Sequence, residues 1–270
     1  MSDAAILIRA TCALYVAALR DSLRTLARNP WVALLVPAYT MLLHLAAMVA
    51  APLGIAGGFL LGFVLAGCAS SFLAVLEQAI GHERVDPSAL GGSFGRYLWS
   101  VVSVLFIFWI IQFLLTAIVQ VNPGLRWLAI AVNAFIFVVC NPIPELIYQS
   151  PRDGMQLVDE AINFTRENVL EWLIPVAVVL SPVFLLDAGT GYHMMASIGP
   201  TNALGYMMAA LESWLPGAWL PGIGAAGPLL VAVLASVGVA WVMLFRGFLF
   251  RALYRSGRRQ RIFDARMRGL

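Results

Sequence analysis

The sequence predicts an all-α, polytopic membrane bundle of six transmembrane helices with amphipathic surface helices, and three observations predict it. Hydrophobic residues make up 61% of the 270 residues and charged residues 11%, whereas soluble domains carry about a quarter charged. Apolar runs recur at close to the roughly 20 residues needed to cross a hydrocarbon core of about 30 Å. The seventeen basic residues are all arginine, and once the six runs are laid out sixteen fall on one side, with Arg126 alone on the other. Cytoplasmic loops hold the excess of basic residues, so both termini are placed inside, as in a bacterial inner-membrane protein. The chain reads as one membrane domain, 1–270: an amphipathic N-terminal helix (1–29), a six-span bundle (30–250) and a basic cytoplasmic tail (251–270). Within the bundle, 187–227 is a periplasmic loop with an interfacial helix.

The N-terminal apolar stretch 10–19 lies between Arg9 and Arg20 and is followed by Arg24 and Arg28, not by a cleavage site, so it reads as a surface helix and not as a secretory signal. Leu7, Leu14, Ala18 and Leu23 form its apolar face. The first two spans, 31–52 and 57–78, make a hairpin. The second carries small residues every fourth position, Gly58, Gly62, Ala66, Ser70 and Ala74, which let helix backbones approach closely and predict a central packing helix. The second hairpin comprises 98–120 and 127–148, and His44 and Gln112, midway along the first and third spans, are expected to be interhelical hydrogen-bond partners. A short fifth span, 172–186 extended by its flanks, contains Pro175 and Pro182; the sixth is 228–250.

Charges in hydrocarbon cost about 2.5–3.5 kcal/mol each at a helix centre and usually face a partner or water. Glu77, Glu145 and Arg246 lie near the cytoplasmic ends of the second, fourth and sixth spans. They fit a buried Glu–Arg–Glu cluster, or three side chains that snorkel separately to the interface. In the fourth span Asn133, Asn141 and Glu145 share one face, and Pro142 and Pro144 remove the amide donors that the carbonyls of Val138 and Cys140 would use. Asn141-Pro142-Ile143-Pro144-Glu145 is therefore the most site-like stretch. Such broken, polar-lined helices occur at transporter binding sites and also as inert kinks.

Three entries to the membrane look alike: Leu26-Ala27-Arg28-Asn29-Pro30-Trp31, Ser93-Phe94-Gly95-Arg96-Tyr97-Leu98-Trp99 and Asn163-Phe164-Thr165-Arg166-Glu167-Asn168. They fit a threefold repeat of surface helix plus hairpin, or the general habit of inside loops to end in arginine and an aromatic. The Arg28-to-Trp31 entry, the hairpin and the Phe-Thr-Arg-Glu-Asn entry resemble bacterial six-helix membrane proteins related to the membrane domain found beside glycerophosphodiester phosphodiesterases. The resemblance implies a topology; with no phosphodiesterase catalytic domain in the chain, it implies no such activity.

The absence of lysine excludes a Walker A motif and Schiff-base chemistry, and Cys-x-x-Cys and His-Glu-x-x-His are absent. Gly91-Gly92-Ser93-Phe94-Gly95 matches the nucleophile-elbow pattern with His82 and Asp86 nearby, but that elbow needs a strand-to-helix turn, and a loop between membrane helices reads as a flexible turn. Cys12, Cys68 and Cys140 show no pairing pattern and read as apolar fillers. The outer motifs Gly191-Tyr192-His193-Met194-Met195-Ala196 and Gly205-Tyr206-Met207-Met208-Ala209 would suit Cu(I), but they also suit an interfacial helix anchored by Trp214 and Trp219. No metal or cofactor is expected. The basic tail, Arg251, Arg255, Arg258, Arg259, Arg261, Arg266 and Arg268, is suited to anionic headgroups and to acidic membrane or cytoplasmic proteins, not to nucleic acid. The sequence thus points to a non-enzymatic membrane subunit or scaffold, with a permease or channel component for a small solute or lipid as the alternative. In a background lacking the native cysteines, cysteines at Ser88 and Ser256 should resist an impermeant thiol reagent while one at Ser197 reacts. Labelling of Ser256 from outside would overturn the six-span topology.

Overall fold

A computed structural model describes residues 3–82, 84–186, 226–256, 263 and 267, and among them the fold is all-α, without strands. The helices are α1 (Asp3–Arg28), α2 (Leu35–Ala50, preceded by a 3-10 turn at Pro30–Leu34), α3 (Ile55–Gly81), α4 (Leu90–Ser93), α5 (Leu98–Val121), α6 (Arg126–Val139), α7 (Ile143–Gln149), α8 (Met155–Leu186) and α9 (Ala226–Arg255). Five stretches are long and apolar enough to cross a membrane: Pro30–Leu53, Ile55–Gly81, Leu98–Val121, Pro123–Gln149 and Ser236–Arg255. The protein is therefore a multi-pass membrane protein. The expected fifth span, 172–186, falls within the second part of α8 and is not one of these five. The expected periplasmic loop, with its Met motifs, lies outside the described residues up to 225. α9 is helical five residues past the expected span, so Arg251 and Arg255 belong to a helix and not to a free tail.

The spans sort into two tiers. Of the most apolar window in each, 44% is buried in α3, 44% in the α6–α7 span and 50% in the end of α9, against 17% around α2 and 22% in α5. The second helix of each hairpin thus packs inside with α9, and the first helix lies outside. α3, α7 and α9 touch one another, and Leu76, Leu146 and Leu244 are fully buried where they meet. α3 is central, as its small residues predict, but only along part of the stripe. Ala66, Ser70 and Ala74 are buried, whereas Gly58 is exposed, Gly62 half-exposed, and nothing described lies within 4 Å of a Cβ added at either. The stripe works as packing only toward the α7 end, because the α2–α3 hairpin spreads its other end along the outer surface.

Two glycines are required by close approach. Gly54 takes φ 54° in the turn between α2 and α3, and a Cβ on Gly57 would run into the Ala50 carbonyl, so the hairpin closes only over hydrogen. Gly247 lets α9 lie directly on its neighbours: a Cβ there would collide with Ile80 and stand 2.6 Å from the Tyr148 hydroxyl.

α1 packs along α9 and buries Ile6, Ala18, Ser22 and Thr25. Leu23, expected on the apolar face, is 50% exposed; the buried stripe steps from Ala18 to Ser22 and Thr25, which rotates Leu23 outward. Tyr15 ties the helix to α8 by donating to the Glu171 carbonyl at 2.8 Å. Gly247→Val should overpack the α3–α7–α9 junction by about 1–3 kcal/mol. Thermal unfolding in mild detergent should fall several degrees for Gly247→Val but stay near wild type for Gly58→Val, and equal behaviour of the two would contradict the inner-tier packing.

Candidate functional site

The two prolines end one helix and start another, so the fourth span is broken between Val139 and Ile143. The carbonyls exposed by the break find new donors. Cys140 accepts from the Ile143 amide at 3.1 Å, Val139 from the Thr165 hydroxyl at 3.1 Å, and Asn141 from Arg246 Nη2 at 2.7 Å. Two of these three donors come from other helices, which makes the break a joint.

Arg246 fills it. Its Nε donates to Glu145 Oε1 at 2.7 Å and its Nη2 to Oε2 at 2.8 Å, a two-pronged pair. The Glu145 side chain is 0% exposed and that of Arg246 16%. The guanidinium also lies 5.1 Å from the centre of the Trp172 ring, and the Trp172 indole donates to Asn141 Oδ1 at 3.0 Å. Asn141, Glu145, Trp172 and Arg246 are thus each bonded to another member of the joint. Glu145 stands in the first turn of α7, where the helix dipole favours a negative charge. Around it, Phe164, Trp172 and Phe250 pack edge-on and tilted, with centroids 4.6–5.9 Å apart, and keep water away.

Asn141, Glu145, Arg246, Pro142 and Pro144 thus come together, and Glu77 does not join them. It pairs with Arg96 at 2.9 Å and is 31% exposed. The expected cluster resolves into two pairs: Arg96, at the entry to α5, meets Glu77, and Arg246 meets Glu145 and the Asn141 carbonyl. Beside Glu77, the Tyr97 hydroxyl is pushed up to about 12 by burial first and then by the carboxylate, with Arg96 over its ring at 5.5 Å.

Ser93 of the elbow-like motif is buried and locked. It donates to the Leu90 carbonyl at 2.7 Å and shares a 2.5 Å bond with Ser71, which in turn bonds Tyr39 at 2.7 Å. Ser70, at the packed end of the stripe, accepts from the Tyr97 amide at 2.9 Å. These serines fasten the α4–α5 loop to α3. His44 and Gln112 are not partners: His44 bonds the Thr40 carbonyl of its own helix at 2.8 Å, and Gln112 donates to Asn133. The reason is that α5 packs beside α6, and α2 turns His44 outward.

Two features escaped the sequence reading. Asn29 is buried, donates to the Thr25 carbonyl at 3.0 Å and accepts from the Val85 amide at 2.9 Å, fixing the α1–α2 corner to the loop after α3. Glu160 accepts from Ser150 and Tyr254 and lies 3.5 Å from Arg152, tying α8 to α9. Asparagine directly after the entry arginine was the available signal for the first; Glu160 offered none, since it looks like any exposed helical acid.

Of the basic tail, Arg251 donates to the Ile80 carbonyl at 3.0 Å and Arg255 is exposed. Arg258, Arg259, Arg261, Arg266 and Arg268 lie outside the described residues. Cys12, Cys68 and Cys140 are free thiols. Among the described residues no group of three His, Cys, Asp or Glu side chains is arranged to hold a metal. No protein-family model, curated protein or solved structure matches this chain.

Removing one member of a desolvated pair strands the other at roughly 3–5 kcal/mol, while replacing both with apolar residues is often near neutral. Arg246→Leu should therefore lower the detergent melting temperature markedly, and Glu145→Leu/Arg246→Leu should recover most of the loss. An Arg246→Leu protein that melts like wild type would show that the pair is not desolvated.

Proposed function

We propose that this chain is a non-enzymatic integral membrane subunit or scaffold of a larger assembly in a bacterial inner membrane, with six spans and both termini cytoplasmic. The observation that carries the reading is the closed joint. A solute path through the bundle needs polar groups turned toward water, and the Glu145 and Arg246 side chains are spent on each other, and that of Asn141 on Trp172, under an aromatic cover. A joint of this kind fixes helix positions, which is what a platform for partners requires.

The six-span count draws support from chain direction. α3, α7 and α9 all run toward the end that holds Glu77, Glu145 and Arg246. A chain leaving that end at Gln149 must recross the bundle before Ala226, and α8 beyond Asn168 starts the return. The orientation draws on the arginine asymmetry. Partners would engage the surface helix α1, the end of α9 and the basic residues that follow it, alongside anionic headgroups.

Deletion of residues 257–270 tests the reading. It should leave insertion and melting unchanged and release a partner from the assembly purified in mild detergent. A truncated protein that keeps every partner but loses a solute flux measured in proteoliposomes would replace the scaffold with a permease.

A further inference from the structure

The end of the bundle that carries the ion pairs also holds a cavity of about 350 Å³, lined by Glu77, Tyr148, Gln149, Arg251, Tyr254 and Arg255 among others. Its lining is electrically uneven. Arg251 is fixed by one bond to the Ile80 carbonyl at 3.0 Å, which leaves most of its five N–H donors for another acceptor. Arg255 follows four residues later and so lies on the same helical face. The carboxylate in the wall, Glu77, is neutralised by Arg96 at 2.9 Å, so the cavity keeps a surplus of positive charge. Tyr148, at 6% exposure, carries a hydroxyl without a hydrogen-bond partner among the described residues, and an unpaired buried hydroxyl is costly.

We propose that this cavity binds the phosphate of an anionic phospholipid, with Arg251 and Arg255 donating to its oxygens and the Tyr148 hydroxyl supplying a donor from within. The depth favours a lipid over a free anion. Tyr148, Arg251 and Arg255 stand in the last turns of stretches long enough to cross the membrane, at the level where headgroups lie, and basic pockets between membrane helices recognise such headgroups. The inference rests on the basic end facing an anionic leaflet and not on the scaffold role.

The test is native mass spectrometry of the purified full-length chain in neutral detergent, titrated with phosphatidylglycerol, with phosphatidylcholine, and with phosphatidylglycerol in the presence of inorganic phosphate. Wild type should bind phosphatidylglycerol saturably at concentrations at least tenfold below phosphatidylcholine, undisturbed by millimolar phosphate. Arg251→Gln/Arg255→Gln should raise the half-saturation point at least tenfold, Tyr148→Phe about threefold, and Arg20→Gln/Arg24→Gln on α1 should leave it unchanged. The near-isosteric Tyr148→Phe decides the matter if the double variant misfolds. Unchanged binding in Tyr148→Phe, an equal loss in the α1 variant (diffuse attraction), or competition by inorganic phosphate (a free-anion site) would each overturn the proposal. No partner is present in the assay, so its outcome is independent of the tail-deletion experiment.

Discussion

Arg246 cannot sit between membrane helices unless its charge is met, and the way it is met organises the basic end of the bundle. Glu145 supplies the opposite charge in two hydrogen bonds, the Asn141 carbonyl takes a third, and Trp172 covers the guanidinium face. α7, α8 and α9 are fixed to one another by that single side chain. The proline break is its precondition. An unbroken helix would turn the carbonyls near residue 141 along its own axis, and Glu145 would not stand at a helix start, where the dipole supports its negative charge. Pro142 and Pro144 are thus part of the electrostatics, although neither carries a polar side-chain group.

The three segments with similar arginine-containing motifs share a backbone device. Asn29 leaves the helical region at φ −132°, Tyr97 at φ −116° and Asn168 at φ −126°, each just after the arginine or glutamate that ends a surface segment. In the first and third, the asparagine amide reaches back to the carbonyl four residues earlier, Asn29 to Thr25 and Asn168 to Phe164. At the end of α1 the Asn29 backbone amide donates to the same Thr25 carbonyl at 3.0 Å, so backbone and side chain close that helix end together. Glu77 and Arg246 stand near the ends of α3 and α9 and Glu145 near the end of the broken fourth span, and Arg246 pairs with Glu145 while Glu77 pairs with Arg96.

Five of the six expected spans were legible because hydrocarbon imposes a local requirement, enough consecutive apolar residues, whatever surrounds them; 172–186 is not among the five. The tiers were not. α5 is as apolar as α3 along its length, so hydropathy cannot tell a helix facing lipid from one facing protein, and only the small residues from Ala66 to Ala74 carried that information. Partner choice was illegible for a related reason. Glu77 and Glu145 look alike in sequence, yet one meets Arg96 and the other Arg246, because pairing depends on which helices are neighbours. Gln112 and Asn133 were each visible as polar residues in apolar runs; that they meet each other, and that His44 turns back onto Thr40, follows from α5 packing beside α6.

In a bilayer, apolar side chains gain little by meeting one another, since lipid solvates them equally well, and helix association falls to close packing and polar contacts. Here the described polar contacts gather toward one end: Arg246 with Glu145, Arg96 with Glu77, Arg251 with the Ile80 carbonyl, Asn29 with the Val85 amide, and Glu160 with Tyr254. Toward the other, Gly58 and Gly62 face open space. The bundle is stitched at the end that carries most of its arginines, where the small residues Ala66, Ser70 and Ala74 also pack. A carrier that alternates access must let its helices move about a site near mid-membrane. Helices locked together at one face by the desolvated Glu145–Arg246 pair, the half-exposed Glu77–Arg96 pair and side-chain-to-backbone bonds resist that motion.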